Sequence, residues 1–181
     1  MQYNRSITLR DGRICHLRNG VAADSEAVLA SFLLTRRQTD FLLTYPDEIS
    51  FTVEQEAQFL QGKADCPDEV LLVAEVDGAI AGTAGVDAVG RRDKGRHRAT
   101  FGISLDEAYW RLGIGSALTA ACIGCARQAG YAQLELEVVE DNARAIALYK
   151  KAGFVECGRN PLGLRPRTGG YQALVFMRLE L

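Results

Sequence analysis

The stretch Tyr109–Tyr131, YWRLGIGSALTAACIGCARQAGY, puts a Gly-Ile-Gly at the mouth of a long helix. Ile114, Leu118, Ala121, Cys122, Cys125 and Ala129 recur at helical spacing, so one face of residues 114–129 is expected to be buried. The backbone N–H groups of Arg111, Leu112, Gly113, Ile114, Gly115 and Ser116 come before the first intrahelical bonds and lack partners there. Gly113 and Gly115 carry no side chain, so a ligand can touch the backbone. The helix dipole is worth about 0.3–2 kcal/mol to an anion at such a mouth, and Arg111 adds a full positive charge. A tight turn with close helix–sheet packing explains the same glycines. No P-loop pattern is present, and a dinucleotide fingerprint fails because its third glycine position is Leu118. On the glycines alone, anion cradle and turn are equal readings.

Outward from this mouth the chain changes style. Upstream, ICHLR (14–18) reads as a first strand and AADSEAVLASFLLTRRQ (22–38) as a helix with an apolar stripe at Val28, Leu29, Phe32 and Leu33. Pro46 breaks that pattern. Thr52 with Gln55 forms a capping box for a second helix, Val53 to about Gln61. VLLVAEV, the turn Asp77-Gly78 and AIAGTAGVDAV then make a hairpin, and ATFGISL (99–105) adds a third antiparallel strand. Downstream, strand 132–139, helix 142–152 and strand 153–157 form a crossover unit, the mark of parallel pairing, and GGYQALVFMRLEL supplies a last strand. With no linker or repeat, residues 1–181 are expected to form one α/β domain on a mixed sheet.

A second motif, LELEVVEDNARAIALYKKAGF (Leu134–Phe154), separates the two readings of the mouth. Asn142 can cap its helix and Gly153 can end it. Asn142 and Tyr149 are seven residues apart, nearly two turns, and share a helix face. By itself this is an ordinary amphipathic helix with a core tyrosine. Taken together, WRLGIGSAL, LELEV and N-x-x-A-I-x-L-Y-x-K-x-G-F make the chain resemble the GCN5-related N-acetyltransferase (GNAT) superfamily, bacterial type, most strongly over residues 97–157.

That resemblance implies a GNAT-like sheet with a splay between the fourth and fifth strands, and acetyl-coenzyme A as cosubstrate with no metal. It implies that residues 111–116 hold the pyrophosphate and that Ile103, Ser104 and Leu105 pair with the pantetheine arm. Asn142 and Ala145 would contact the cofactor. Tyr149 would do so too, and would act as the acid for the departing thiolate. Glu137 matches a glutamate proposed as base in ribosomal-protein acetyltransferases; its competing role is a structural glutamate facing a neighbouring strand. Trp110 departs from the Gln or Arg common at its position, which leaves the amide cradle intact.

The chemistry poses two proton problems. A lysine-like amine of pKa near 10.4 is neutral in about one molecule in 2,500 at pH 7, so the free base costs roughly 4.6 kcal/mol. A thiolate of pKa near 8.5 must regain a proton, and tyrosine is the weaker acid by roughly 1.5 units. The segment expected to wall the acceptor pocket, LLTYPDEISFTVEQE (42–56), holds Asp47, Glu48, Glu54 and Glu56 and no Lys or Arg. Such a lip, with Tyr45 and Phe51 for apolar contact, suits a cationic amine on a small molecule or a protein. The simpler role for Glu54 and Glu56 is to complement the dipole of their own helix. Besides the enzyme, the sequence admits an acetyl-CoA-binding regulatory or partner-binding module without catalysis; the hydroxyl of Tyr149 favours the enzyme.

Composition sets outer limits. A net charge of -2 gives no general attraction to nucleic acid or membranes. The basic turn GRRDKGRHR, which includes His97, lacks aromatic residues and reads as a solvated tip. The opening MQYNRSITLRDGR has no signal-peptide core. The five cysteines are odd in number and irregularly spaced, which argues against a disulfide framework. Cys122-x-x-Cys125 falls in the helix stripe, and two histidines are too few to complete a zinc site. A cytoplasmic protein is expected, and a homodimer is allowed.

Overall fold

In the computed structural model, which describes residues 1–181, Asp77 and Gly78 both take left-handed φ, 51° and 80°. That pair joins β3 (Val70–Val76) to β4 (Ala79–Ala88) as a two-residue hairpin. The other strands are β1 (Asn4–Thr8), β2 (Ile14–Asn19), β5 (Arg98–Leu105), β6 (Gln133–Val139), β7 (Val155–Leu164) and β8 (Gln172–Glu180). The helices are α1 (Ser25–Gln38), α2 (Val53–Asp65), α3 (Ile114–Gln128) and α4 (Ala143–Lys151). One mixed sheet runs β1-β2-β3-β4-β5-β6-β8-β7. Only β5 and β6 pair in parallel.

Three elements differ from their sequence-based expectations. Asn4–Thr8 forms an edge strand where none was expected, because its residues face solvent and lack an alternating apolar signature. The strand expected at 153–157 runs on to Leu164, through Pro161. It lies at the sheet edge with its register broken between Asn160 and Leu164, where a missing N–H is tolerated. The helix expected to end near Gln61 continues to Asp65, where Lys63 is drawn in by Glu69 and Asp87.

Register assigns the faces. Thr83 pairs with Ser104, Asp87 with Thr100, Thr100 with Glu135 and Glu137 with Phe176. Alternation puts all of these on one face, together with Val73, which packs with Val28 of α1 and Leu60 of α2. Phe101 points the opposite way and meets Tyr149 of α4 edge-on, ring centroids 6.0 Å apart. The α3/α4 face carries the main core of 27 buried residues, while the cluster under α1 and α2 has three. The second face is thin because a cleft opens there. Cys122 and Cys125 are buried free thiols in the main core, and burial raises both pKa values. No helix is long and apolar enough to cross a membrane.

Candidate active site

The mouth of α3 is built by two left-handed residues. Arg111 has φ 66° and Gly113 φ 106°. For Arg111 that conformation is strained, a feature concentrated at functional sites. Backbone atoms around the mouth accept and donate as follows: the Arg10 N–H donates to the Leu112 carbonyl, and the Ala117 N–H to that of Gly113. None of the six amides of residues 111–116 donates to a protein backbone acceptor. The side chains of Ile114 and Leu112 turn into the core, fully and partly buried respectively, so these two residues offer only their amides. A Cβ built on Gly115 would meet Leu148 Cδ1 at 3.5 Å, an ordinary contact, so the protein's own packing does not require glycine there.

Positive charge gathers at this mouth. The Arg10 guanidinium donates to the Arg111 carbonyl at 3.2 Å. The Trp110 indole N–H donates to the Leu105 carbonyl at 2.9 Å, and Arg144 lies 5.0 Å over the Trp110 ring. Trp110 therefore does not replace a cation so much as seat one. Arg10, Arg111 and Arg144 all line the cleft and none is paired with a carboxylate. Sequence reasoning missed Arg10, which comes from a hairpin about a hundred residues away and carries no local signal. Arg144 sits in the quoted α4 motif, where its charge beside Asn142 was the available clue.

Beyond the mouth, β5 and β6 share only Arg98–Gln133, Ala99–Leu134 and Thr100–Glu135 before they part. From Phe101 to Leu105, β5 has β4 on one side and no strand on the other. The opening is part of one continuous cleft of about 1340 Å³. Ile103, Ser104, Leu105, Arg111, Gly113, Gly115, Ser116, Asn142, Ala145, Tyr149 and Glu137 all line it. Asn142 Oδ1 accepts from the Ala145 N–H at 3.1 Å and so caps α4, which leaves its amide nitrogen for other contacts.

Tyr149 is 7% exposed, wedged between Phe101 and Phe154, and burial pushes its pKa up to about 12. Its hydroxyl therefore stays protonated at neutral pH, and the same burial makes it a weaker acid than a free tyrosine. Glu137 is exposed on the opposite sheet face and pairs with no cation. Its neighbours are engaged: Asp87 by Lys63, and Glu135 by Arg98 and Gln133.

The expected acidic lip is arranged differently from its sequence. Asp47 is held by Arg167 through two hydrogen bonds of 2.8 and 2.9 Å, and the guanidinium holds its carboxyl below the usual range. The Arg167 N–H donates to the Tyr45 hydroxyl, and its guanidinium lies 4.1 Å over that ring. Arg167 also stands 3.8 Å from Glu48. Tyr45 and Glu48 line a separate cavity of about 250 Å³ under the β7–β8 hairpin, and Asp47 lines neither. Glu56 is buried, and burial raises its pKa. Only the start of the 42–56 segment, Leu42, Leu43 and Thr44, lines the main cleft, and α1 adds Phe32, Thr35 and Arg36. Arg91, Arg96 and Arg98 of the basic turn pair with Asp68 and Glu69, Asp93, and Glu135.

Comparison with known proteins agrees with this geometry. The acetyltransferase (GNAT) family model matches residues 34–154. The L-amino acid N-acetyltransferase AaaT of Escherichia coli K12 is 40% identical over 92 residues, covering 50% of this chain and 56% of that protein. The [ribosomal protein bS18]-alanine N-acetyltransferase of the same strain is 40% identical over 83 residues, covering 45% and 54%. The chain thus spans about half the length of the curated relatives it matches. A crystal structure of an acetyltransferase of the GNAT family from Streptococcus pneumoniae superposes with a TM-score of 0.87 at 30% identity, over 92% of this chain and 99% of that one.

Proposed function

Because the chain belongs to the acetyltransferase (GNAT) family, whose model spans residues 34–154, we propose that it moves an acetyl group from acetyl-coenzyme A to a primary amine of a small molecule or a protein. The observation that carries this reading is the cleft itself, which crosses the sheet where β5 leaves β6 and has an amide-lined, arginine-ringed mouth at one end. Six free amides on a helix dipole fit a pyrophosphate. Arg10, Arg111 and Arg144 would add charge for further phosphate oxygens. The unpaired edge at Ile103–Leu105 suits the amide groups of a pantetheine arm, as an added strand would. Asn142 and Ala145 would flank that arm from the start of α4.

The bound thioester supplies an activated acetyl group. The protein's part is to orient the two reactants and manage two protons. Tyr149, protonated by virtue of its burial, donates from the α4 face to the leaving sulfur. The transfer is uphill for so weak an acid unless the sulfur is itself poorly solvated, as the apolar walls around Phe101 and Leu136 provide. Glu137, on the other face, takes the ammonium proton of the incoming amine directly or through water. The names of the two bacterial relatives, one for an L-amino acid and one for a ribosomal-protein alanine, support an amine acceptor. A cofactor-binding module without catalysis is the lesser reading, because it would leave the Tyr149 hydroxyl, which takes no hydrogen bond from the protein, without a role. Five free thiols favour a reducing, cytoplasmic setting. The pairing of three of the basic turn's arginines with carboxylates of the chain speaks against nucleic acid as a partner.

The test is calorimetry with acetyl-CoA, followed by thiol release against a panel of amines with mass spectrometry of the products. Binding with acetylated product is expected. Binding without any thiol release above the hydrolysis background would favour the module, and no binding would remove both readings.

A further inference from the structure

Three glycines lie inside the two neighbouring strands that floor the cleft, Gly82 and Gly85 on β4 and Gly102 on β5. A glycine inside a strand weakens it, because it frees the unfolded backbone and packs nothing against its neighbours. Each therefore calls for a reason. Gly82 has one in the protein's own packing. A Cβ there would stand 2.5 Å from the carbonyl oxygen of Ser104, on the backbone of the paired strand.

Gly85 and Gly102 have no such reason. Neither takes a left-handed φ. A Cβ on Gly102 would meet nothing within 4 Å. One on Gly85 would make ordinary contacts, with the Val70 carbonyl oxygen at 3.4 Å, Leu71 Cδ1 at 3.5 Å and Asp87 Oδ2 at 3.6 Å. The two glycines are partners across the β4–β5 ladder, and both line the cleft. Alternation turns both toward the α1/α2 face, between the pair Thr83–Ser104 and the pair Asp87–Thr100. Gly102 is exposed there, while Phe101 beside it is buried on the reverse face. The floor of the cleft thus holds a window of bare backbone that spans two strands.

The window adjoins the proposed base. Thr100–Glu135 is the last pair that β5 and β6 share. The next residues of this face are Gly102 on β5 and Glu137 on β6. On the side away from β6, Leu71 of β3 is level with Gly85. Phe32 and Thr35 of α1 line the same cleft. Beside the window, Ser104 Oγ is buried and has no hydrogen-bond partner in the protein. The cofactor does not explain the missing side chains. Its proposed contacts are the amides of 111–116, the free edge at Ile103–Leu105 and the start of α4, whose Tyr149 packs on the reverse face against Phe101.

We propose that Gly85 and Gly102 are specificity-determining residues, the floor on which the body of the acceptor lies while its amine faces Glu137. The inference rests on the transferase reading above and adds what sets the size of the acceptor. A bare pair lets the acceptor's carbon frame lie directly on the backbone of both strands. A methyl group on either residue would lift that frame and carry the amine away from the base. The property selected is bulk at the carbon that bears the nitrogen, where a branched or cyclic frame needs the width of two strands and a straight chain needs one.

The experiment measures initial rates of thiol release with acetyl-CoA and a graded set of primary amines. The set holds straight-chain, branched and cyclic amines, and peptides that open on glycine, alanine or valine. Wild type, Gly102→Ala, Gly102→Val and Gly85→Ala are compared, with acetyl-CoA affinity and Tm measured on the same samples. Gly102→Ala should raise KM for the best branched or cyclic acceptor roughly tenfold or more while straight-chain amines change little, the effect expected of one added carbon in a fitted pocket. Gly102→Val should widen that gap, and Gly85→Ala should act in the same direction. Acetyl-CoA affinity should be unchanged. The Tm of Gly102→Ala should hold or rise, because the new Cβ has room and narrows the unfolded ensemble. A purely structural glycine would do the reverse, lowering Tm and every activity together, and that result would overturn the inference. So would wild-type transfer confined to straight-chain amines, or a KM that stays the same across the set in all three variants. Each of these leaves the transferase reading standing. Acetyl-CoA binding with no transfer to any amine would remove the transferase reading, and the inference with it.

Discussion

Glu137 and Tyr149 line one cleft from opposite faces of the sheet. Glu137 shares the α1/α2 face with Asp87 and Thr100, while Tyr149 rests against Phe101 on the α3/α4 face. The gap left where β5 parts from β6 brings both groups to the same cleft, as the proposed acid and base require. A proton taken on one face and a proton given on the other fits an amine that enters from one side and a thiol that departs from the other.

Tyr149→Phe is expected to lower kcat by about 10²-fold or more while acetyl-CoA affinity changes little, because the hydroxyl acts on charge that appears late in the reaction. Single-turnover rates, where chemistry limits, are the measurement. An unchanged rate would assign the acid to water or another group.

The same variant has a signature in stability. The pKa of Tyr149 is raised from 10.0 to about 12 by burial. Its neutral form therefore contributes stability that is fully present below pH 10 and is lost as pH rises toward about 12. The loss is on the order of 3 kcal/mol. Urea midpoints measured from pH 8 to pH 11.5 should fall more steeply for the wild type than for Tyr149→Phe. Parallel curves would mean the ring is not as desolvated as its packing implies.

Glu137→Gln should lower kcat/KM at pH 7, with the deficit closing as pH approaches the pKa of the amine. At high pH the solvent delivers the free base and a protein base is no longer needed. A ratio of variant to wild type that stays constant between pH 6.5 and pH 10 would remove Glu137 from the proton path.

Gly115→Ala should bind acetyl-CoA nearly as well as the wild type, and Gly115→Leu more than tenfold worse. A Cβ at that position makes only an ordinary contact with Leu148, but a longer side chain enters the space over the free amides. Calorimetry on the two variants separates the cradle from a structural turn, for which the affinity would not follow side-chain size.

Asp47→Asn/Glu48→Gln should leave the salt dependence of the acceptor KM as it is in the wild type. Arg167 already occupies Asp47 and stands beside Glu48, so little field is left to steer a cation. A flatter salt curve in the double variant would restore these carboxylates as part of the acceptor site.

What the sequence determined by itself is local or periodic. The glycine mouth at 111–116, the Asn142 cap, the seven-residue step to Tyr149 and the Asp77-Gly78 turn are each decided by neighbours within two helical turns, where backbone geometry and hydrogen-bond supply obey short-range rules. The resemblance of those motifs to a family then supplied the splay between the fourth and fifth expected strands, which are β5 and β6 once the unexpected Asn4–Thr8 strand is counted. Solvent-facing Asn4–Thr8 and the Pro161-bearing end of β7 were not legible, because edge strands need only one partner and carry weak patterning. Tertiary structure alone decided which charges are spent and which are free. Arg167 reaches Asp47 across 120 positions, Arg10 reaches Arg111 across 101, and Arg98 claims Glu135 across a strand boundary. Coulomb attraction depends on distance in space, and the sheet's register sets that distance, not the spacing along the chain. The acidic lip read from residues 47–56 was therefore a count of charges, whereas the guanidiniums left without a carboxylate in the cleft, those of Arg10, Arg36, Arg111 and Arg144, emerge only once the fold has made its pairs.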